Sequence, residues 1–178
     1  MQSNSIRLTL TVVIVIWLAG CASPARKEAI VVDDAFLNIT FPYSVSVSAS
    51  GGGATESGGY TNISNEDLAG AVEDSIRKTR LFSEVVQNGE ADYKLSVFLV
   101  SMSKPMFGLS FKIDMEMAWS LVNARTGEAV WRESIRSSHT ATVGDAFAAV
   151  TRIRIAIEEA AEENIRSGLR KISTLTLD

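Results

Sequence analysis

Hydrophobic residues alternate with polar ones along the most regular stretch of the chain, from Phe111 to Leu121. This alternation predicts a β-strand with one buried face, because successive side chains of a strand point to opposite sides of a sheet. Shorter runs of the same kind, bounded by turn residues, predict three neighbouring strands. These strands are expected at residues 81–86, 93–100 and 129–140.

Two stretches have less regular strand patterns. Residues 93–100 carry apolar side chains on one face, and Phe98 and Val100 make the other face apolar too. A strand that is apolar on both faces is expected at the centre of a sheet, covered on both sides. Residues 30–47 are interrupted by Pro42 and predict one or two further strands.

Two other stretches repeat their apolar residues every three to four positions, which predicts helices. The first covers residues 64–80, with Ser64 and Asp67 in the positions of an N-terminal capping box. The second runs from about Asp145 to Lys171 and would be about 40 Å long. The order of elements predicts an α+β domain: a mainly antiparallel sheet of about four to five strands, with two helices packed on one face.

The N-terminus has the three parts of a secretory signal: a polar start with Arg7, an uncharged apolar block at residues 8–19, and small residues before Cys21. The block is too short to span a bilayer comfortably, since a span takes about 20 apolar residues. Leu18-Ala19-Gly20-Cys21 resembles the lipobox of bacterial lipoproteins. An ordinary signal peptide with an incidental cysteine and a short membrane anchor are the alternatives.

The resemblance implies a diacylglycerol on the sulfur of Cys21, cleavage between Gly20 and Cys21, and usually a third acyl chain on the new amine. Two or three chains hold a protein stably on a membrane, whereas one chain binds reversibly. Ala22 follows the cysteine, where an aspartate commonly retains such lipoproteins at the inner membrane. The resemblance therefore favours the periplasmic face of the outer membrane, or the cell membrane if the host has only one.

Removal of residues 1–20 from the 178-residue chain leaves 158 residues, enough for one domain with its own core. The whole chain has a net charge of −4 and the removed part holds only Arg7, so the mature charge is −5. Nucleic acid is therefore not an expected partner. Residues 21–28 are predicted to be a lipidated N-terminus and short tether, and residues 29–178 a single periplasmic domain with a flexible Gly/Ser-rich loop at 48–62.

The predicted layout is similar to small outer-membrane accessory lipoproteins, of the lipopolysaccharide-assembly and penicillin-binding-protein-activator types, the latter sharing the fold of the TolB N-terminal domain. The resemblance rests on two sequence segments: Ala91-Asp92-Tyr93 at the start of a strand, and the segment from Asn123 to Trp131 across the last hairpin. The activators cross the peptidoglycan on long linkers, and the tether here is short.

Candidate catalytic groups are few. His139 is the only histidine and follows Ser137 and Ser138, but no GxSxG elbow accompanies them. Asp114 and Glu116 share a strand face and could form a carboxylate pair, although the alternation around them favours a solvated face. No metal-binding spacing occurs. We therefore assign no catalytic residue, metal or cofactor.

Two features suggest binding. Arg132 and Arg136 share a strand face, and Arg152 and Arg154 begin the long helix; together these four could meet a phosphate or an acidic partner. Met106 and Phe107 place two large apolar side chains at a hairpin tip, where turns are normally polar. They either dock into a partner or membrane surface or fold back onto the domain.

The sequence thus favours a non-catalytic, lipid-anchored module that serves envelope assembly or maintenance through an envelope protein or a glycolipid. One alternative is an envelope enzyme, an acyltransferase or hydrolase, built on Ser137 or Ser138 with His139. The other is a structural lipoprotein that contacts peptidoglycan.

Overall fold

A computed structural model describes residues 24–33, 37–52, 63–87, 89–103, 105 and 107–178. The signal block, Gly20 and Cys21 lie outside the described residues, so the predicted lipobox does too. The same holds for Met106 and for residues 53–62, most of the predicted Gly/Ser-rich loop.

The described residues form five strands and two α-helices, which confirms the predicted α+β class. The strands lie side by side in the order β2-β1-β3-β4-β5. β1 runs parallel to β2 and β3, whereas the longer ladders β3–β4 and β4–β5 are antiparallel. The elements are β1 (Phe41–Ser50), α1 (Asn65–Thr79), β2 (Phe82–Val85), β3 (Tyr93–Met102), β4 (Phe111–Asn123), β5 (Ala129–Ala141) and α2 (Ala149–Ile172).

Both helices pack on one face of the sheet, α1 against β1 and β2, and α2 against β4 and β5. The alternation along β4 explains this arrangement, since its odd-numbered residues from Phe111 to Leu121 are all buried and its even-numbered ones are not. The core between sheet and helices includes Trp119, which is 1% exposed and donates its indole N–H to Asn164 Oδ1 of α2 at 3.0 Å. Asn164 also donates to the carbonyl of Ile135, which ties α2 to β5.

The start of α1 confirms Ser64 as the N-cap, which is one half of the predicted capping box. The Ser64 hydroxyl accepts from the backbone N–H of Asp67 and donates to its carboxylate, so a free helical N–H finds a partner. α2 begins at Ala149, four residues later than predicted. The reason is local: the carboxylate of Asp145 accepts from the backbone N–H and hydroxyl of Thr142, which closes a turn where the helix was expected.

β3 occupies the middle of the sheet, but the prediction that it is covered on both sides is wrong. Phe98 is 48% exposed and Val100 is 47% exposed, because both helices lie on the opposite face. The apolar character of these two side chains therefore reflects something other than burial in this domain.

The N-terminal part departs from the predictions in two ways. Residues 27–30 form a 3₁₀ helix and β1 begins only at Phe41, with its register against β2 shifted beside Pro42, which lacks an N–H for the ladder. From Pro24 onward, the expected tether is packed on the domain rather than free. Ala25 is 3% exposed, and the N–H of Arg26 donates to Glu158 Oε1 of α2 at 2.9 Å.

Candidate binding surfaces

The uncovered side of the sheet, here called the open face, presents outward side chains of β3, β4 and β5. No described element packs on it. Its members alternate with buried residues along each strand, which places them together on one surface. They include Phe98, Val100, Lys112, Asp114, Glu116, Ala118, Ser120, Val130, Arg132, Ser134, Arg136 and Ser138.

Four charged groups on the open face form two ion pairs, Glu116 with Arg136 and Lys112 with Asp114. Glu116 accepts from the Ser134 hydroxyl at 2.6 Å and from Arg136 Nε at 3.0 Å. These two hydrogen bonds, the serine's first, hold the pKa of Glu116 below its ordinary value of 4.5. Lys112 and Asp114 form a second pair, at 2.7 Å. This pairing accounts for the predicted carboxylate pair: the two acids are engaged with cationic neighbours on a solvated face.

An apolar hollow lies beside these charges. Phe98 and Ala118 are directly opposite each other on β3 and β4, and Arg132 reaches across from β5 to the hydroxyl of Ser120 at 3.4 Å. Ser96 and Ser134 also line the hollow. The open face thus combines a shallow apolar centre with charged and hydroxyl groups around it.

The four predicted arginines do not meet. Arg132 and Arg136 lie on the open face, whereas Arg152 and Arg154 belong to α2 on the other side of the sheet. Arg152 is 4% exposed, so it is not available to a partner. The sequence could place each arginine on an element, but only the packing of α2 decided that the sheet would separate the two pairs.

Arg152 and Arg154 have roles inside the domain. The guanidinium of Arg152 lies over the Phe111 ring, 5.3 Å from its centre, and donates to the carbonyl oxygens of Ala146 and Phe147 at 2.9 and 2.6 Å. It therefore fastens the loop that precedes α2. Arg154 lies 3.7 Å from the Glu158 carboxylate, which is also the acceptor of the Arg26 N–H.

The residues of the enzyme alternative are divided between the two faces of β5, with Ser137 and His139 on one face and Ser138 on the other. Ser138 points to the open face, while Ser137 and His139 point to the helix side, as alternation along β5 requires. The Ser137 hydroxyl donates to the carbonyl of Ala160 at 2.7 Å and accepts from Asn164. Ser138 and His139 are thus on opposite faces, and Ser137 is engaged in joining β5 to α2.

Large apolar side chains are exposed at the end of the sheet where β3 and β5 finish. We call residues 107–110 and 142–148 the apical loops. Phe107 is 89% exposed and Leu109 is 79% exposed in the first, while Val143 is 56% exposed and Phe147 is 99% exposed in the second. The Phe107 side chain is therefore not folded back onto the domain. Leu109, Val143 and Phe147 were not among the predicted binding residues. The available signal was the occurrence of large apolar residues close to the turn glycines Gly108 and Gly144.

Across residues 24–178, gaps excepted, no group of three or more His, Cys, Asp or Glu side chains is arranged to hold a metal ion. None of the helices described there is long and apolar enough to cross a membrane.

No family model and no curated protein sequence matches the chain. Several solved structures have a similar fold. A protein provisionally described as a lipoprotein, from Caulobacter crescentus CB15, is 21% identical over 73% of this chain and 88% of its own, with a TM-score of 0.50. A DUF330 protein from Xanthomonas campestris is 13% identical over 80% and 91%, with a TM-score of 0.54. PelC from Paraburkholderia phytofirmans, a dodecamer, is 13% identical over 78% and 92%, with a TM-score of 0.50. At these identities, the chain shares a helix-on-sheet fold with bacterial proteins, one of them described as a lipoprotein.

Proposed function

We propose that this protein is a lipid-anchored lipoprotein of the bacterial envelope, held through acyl chains on Cys21 on the periplasmic face of the outer membrane. It acts there as a non-catalytic accessory module that binds an envelope protein in envelope assembly or maintenance. The lipobox at residues 18–21 supports the anchor. The similarity of fold to a protein described as a lipoprotein supports the same class.

The open face carries the binding part of this proposal. A sheet face in a monomer that needs no partner is normally polar, yet here Phe98 and Val100 are each about half exposed near its centre. Charged pairs around them, such as Glu116 with Arg136, give the apolar centre a polar rim, which is the usual anatomy of a protein–protein interface. The surface is also shallow rather than a deep cleft, which suits a protein better than a small molecule.

Photo-crosslinking in intact envelopes tests this binding surface. A photoreactive phenylalanine analogue replaces Phe98, and a matched control carries it in place of Glu159, which is exposed on α2. We expect one discrete protein adduct from position 98 and none from position 159. No adduct at position 98, or the same adducts at both positions, would contradict the proposal. An adduct with glycolipid, or with a second copy of this chain as in the PelC dodecamer, would replace the proposed partner.

The anchor is tested separately. Mass spectrometry of the protein from membranes should find Cys21 as the first residue, carrying acyl chains. The Cys21→Ser variant should lose this modification and remain uncleaved, because the sulfur is the acceptor of the diacylglycerol. An unmodified Cys21 thiol in the native protein would refute the anchor without bearing on the open face.

A further inference from the structure

The described N-terminal segment, residues 24–33, leads back toward the end of the molecule that carries the apical loops. We infer that the apical loops dock into the surface of the bilayer that holds the acyl chains, with Phe107, Leu109, Val143 and Phe147 entering its interfacial layer. This inference rests on the acylation of Cys21 in the proposed function. It adds an orientation: the domain stands on its apical end, with its helices and strands rising away from the membrane.

The topology brings both helix N-termini to the apical end. α2 begins directly after β5, whose last residue, Ala141, pairs with Phe111 beside the first apical loop. α1 begins beside the end of β1: the N–H of Gly52 donates to Asn65 Oδ1 at 2.8 Å. Both helices therefore run away from the apical loops.

The N-terminal segment approaches from that same end. Lys27 pairs with Asp74, and farther along the segment Asp33 pairs with Lys78, so this segment runs in the same direction as α1. Followed backward from Lys27, the chain leads toward the N-terminal end of α1 and hence toward the apical loops.

The remaining distance is short enough for the anchor to reach the level of these loops. The N–H of Arg26 is held by Glu158, nine residues into α2 from Ala149, or about 14 Å from the helix start at 1.5 Å per residue. The five residues from Cys21 to Arg26 span at most roughly 17 Å. Acyl chains on Cys21 can therefore enter a membrane that the apical loops touch.

The second apical loop is built to keep its apolar side chains outward. Arg152 binds the carbonyl oxygens of Ala146 and Phe147, and Thr142 is joined to Asp145, so both ends of the loop are fixed. While Arg152 holds the carbonyl oxygens of Ala146 and Phe147, the Phe147 side chain is 99% exposed. The exposed position of Phe147 therefore belongs to a loop whose backbone is fixed by the buried side chain of Arg152.

The charge of the two loops also fits a lipid surface. Among residues 107–110 and 142–148 the only charged side chain is Asp145, and its carboxylate already accepts from Thr142. Large apolar and aromatic side chains on loops that carry few charges are typical of segments that enter a membrane interface. The turn at the opposite end of the sheet carries Arg125 and Glu128, as a turn exposed to water normally does.

Depth-dependent quenching tests the docking. The full chain is produced in its native membrane, purified, and reconstituted into vesicles of phosphatidylethanolamine and phosphatidylglycerol that contain spin-labelled lipid. Because Cys21 is the only cysteine and its sulfur would be acylated, a single introduced cysteine accepts an environment-sensitive fluorophore. The test sites are Phe147→Cys and, independently, Leu109→Cys; Thr126→Cys, at the far end, is the matched control.

We expect labels at positions 147 and 109 to emit at shorter wavelength and to be quenched several-fold more strongly than the label at 126. If mass spectrometry finds Cys21 acylated but all three labels respond alike, the docking is refuted and the anchor stands. Labels at 147 and 109 that are shielded in native envelopes but not quenched by lipid would mean that a protein covers the loops, and would also refute it. An unmodified Cys21 would overturn the anchor, and the docking with it.

Discussion

The contact between Gly168 of α2 and Trp119 of β4 gives the sharpest test of the packing. A Cβ added at Gly168 would lie 2.8 Å from two indole carbons of Trp119 and 2.9 Å from a third. Carbon atoms in contact are normally 3.5–4.0 Å apart. The indole cannot withdraw easily, since it is 1% exposed and its N–H is hydrogen-bonded to Asn164. We therefore expect the Gly168→Ala protein to be less stable than the native one.

Two opposing effects set the magnitude. Replacing glycine by alanine inside a helix stabilises the helix by about 1 kcal/mol. Overpacking a close-packed core costs about 1–3 kcal/mol, and a pinned, buried ring places this site in the upper part of that range. The net expectation is a loss of about 1–2 kcal/mol in the free energy of unfolding, or a fall in Tm of roughly 2–4 °C for each kcal/mol.

Gly70 of α1 provides the matched control. A Cβ there would meet only the side chain of Lys27, at 3.0 Å, and this long side chain can shift by a few tenths of an ångström. Gly70→Ala should therefore be neutral or stabilise by up to about 1 kcal/mol, opposite in sign to Gly168→Ala. Urea denaturation followed by circular dichroism measures both. Equal stabilisation by the two substitutions would refute the packing of Trp119 against Gly168.

Three further predictions concern polar groups. Asn164→Ala should destabilise the protein by about 3 kcal/mol in urea denaturation, because the buried N–H of Trp119 and a strand carbonyl lose their partner. Because the pKa of Glu116 is lowered in the folded state, its carboxylate stabilises the protein above the unfolded-state pKa, and this contribution is lost as the pH falls through the folded-state pKa. In urea denaturation at a series of pH values, the stability advantage of the native protein over Glu116→Gln should therefore shrink toward acid pH. A difference that does not change with pH would mean that the carboxylate is unbound. Glu158→Ala should release the N-terminal segment and speed tryptic cleavage after Arg26 several-fold, and an unchanged rate would argue against its anchoring on α2.

Local patterns predicted the parts of the fold that depend on neighbours in sequence. The alternation along β4 gave its buried face correctly, and the Ser64 capping box gave the start of α1. The turn before α2 escaped prediction because the bonds between Asp145 and Thr142 compete with helix formation at a boundary where both outcomes have favourable local signals. The burial of Ala25 could not be predicted from the local sequence, because this segment packs on α2, more than 100 residues along the chain.

For the candidate sites, the sequence by itself determined which residues share a strand face. Arg132 and Arg136 share one face of β5, and Phe98 and Val100 share one face of β3. Only the tertiary structure decided that no described element covers the second face of β3, which leaves Phe98 exposed, and that the sheet separates Arg152 from the strand arginines. The physical reason is that side-chain alternation is fixed by backbone geometry within a strand. Where both faces of a strand are apolar, as in β3, the alternation does not say which face will be buried, because that depends on the packing of elements distant in sequence.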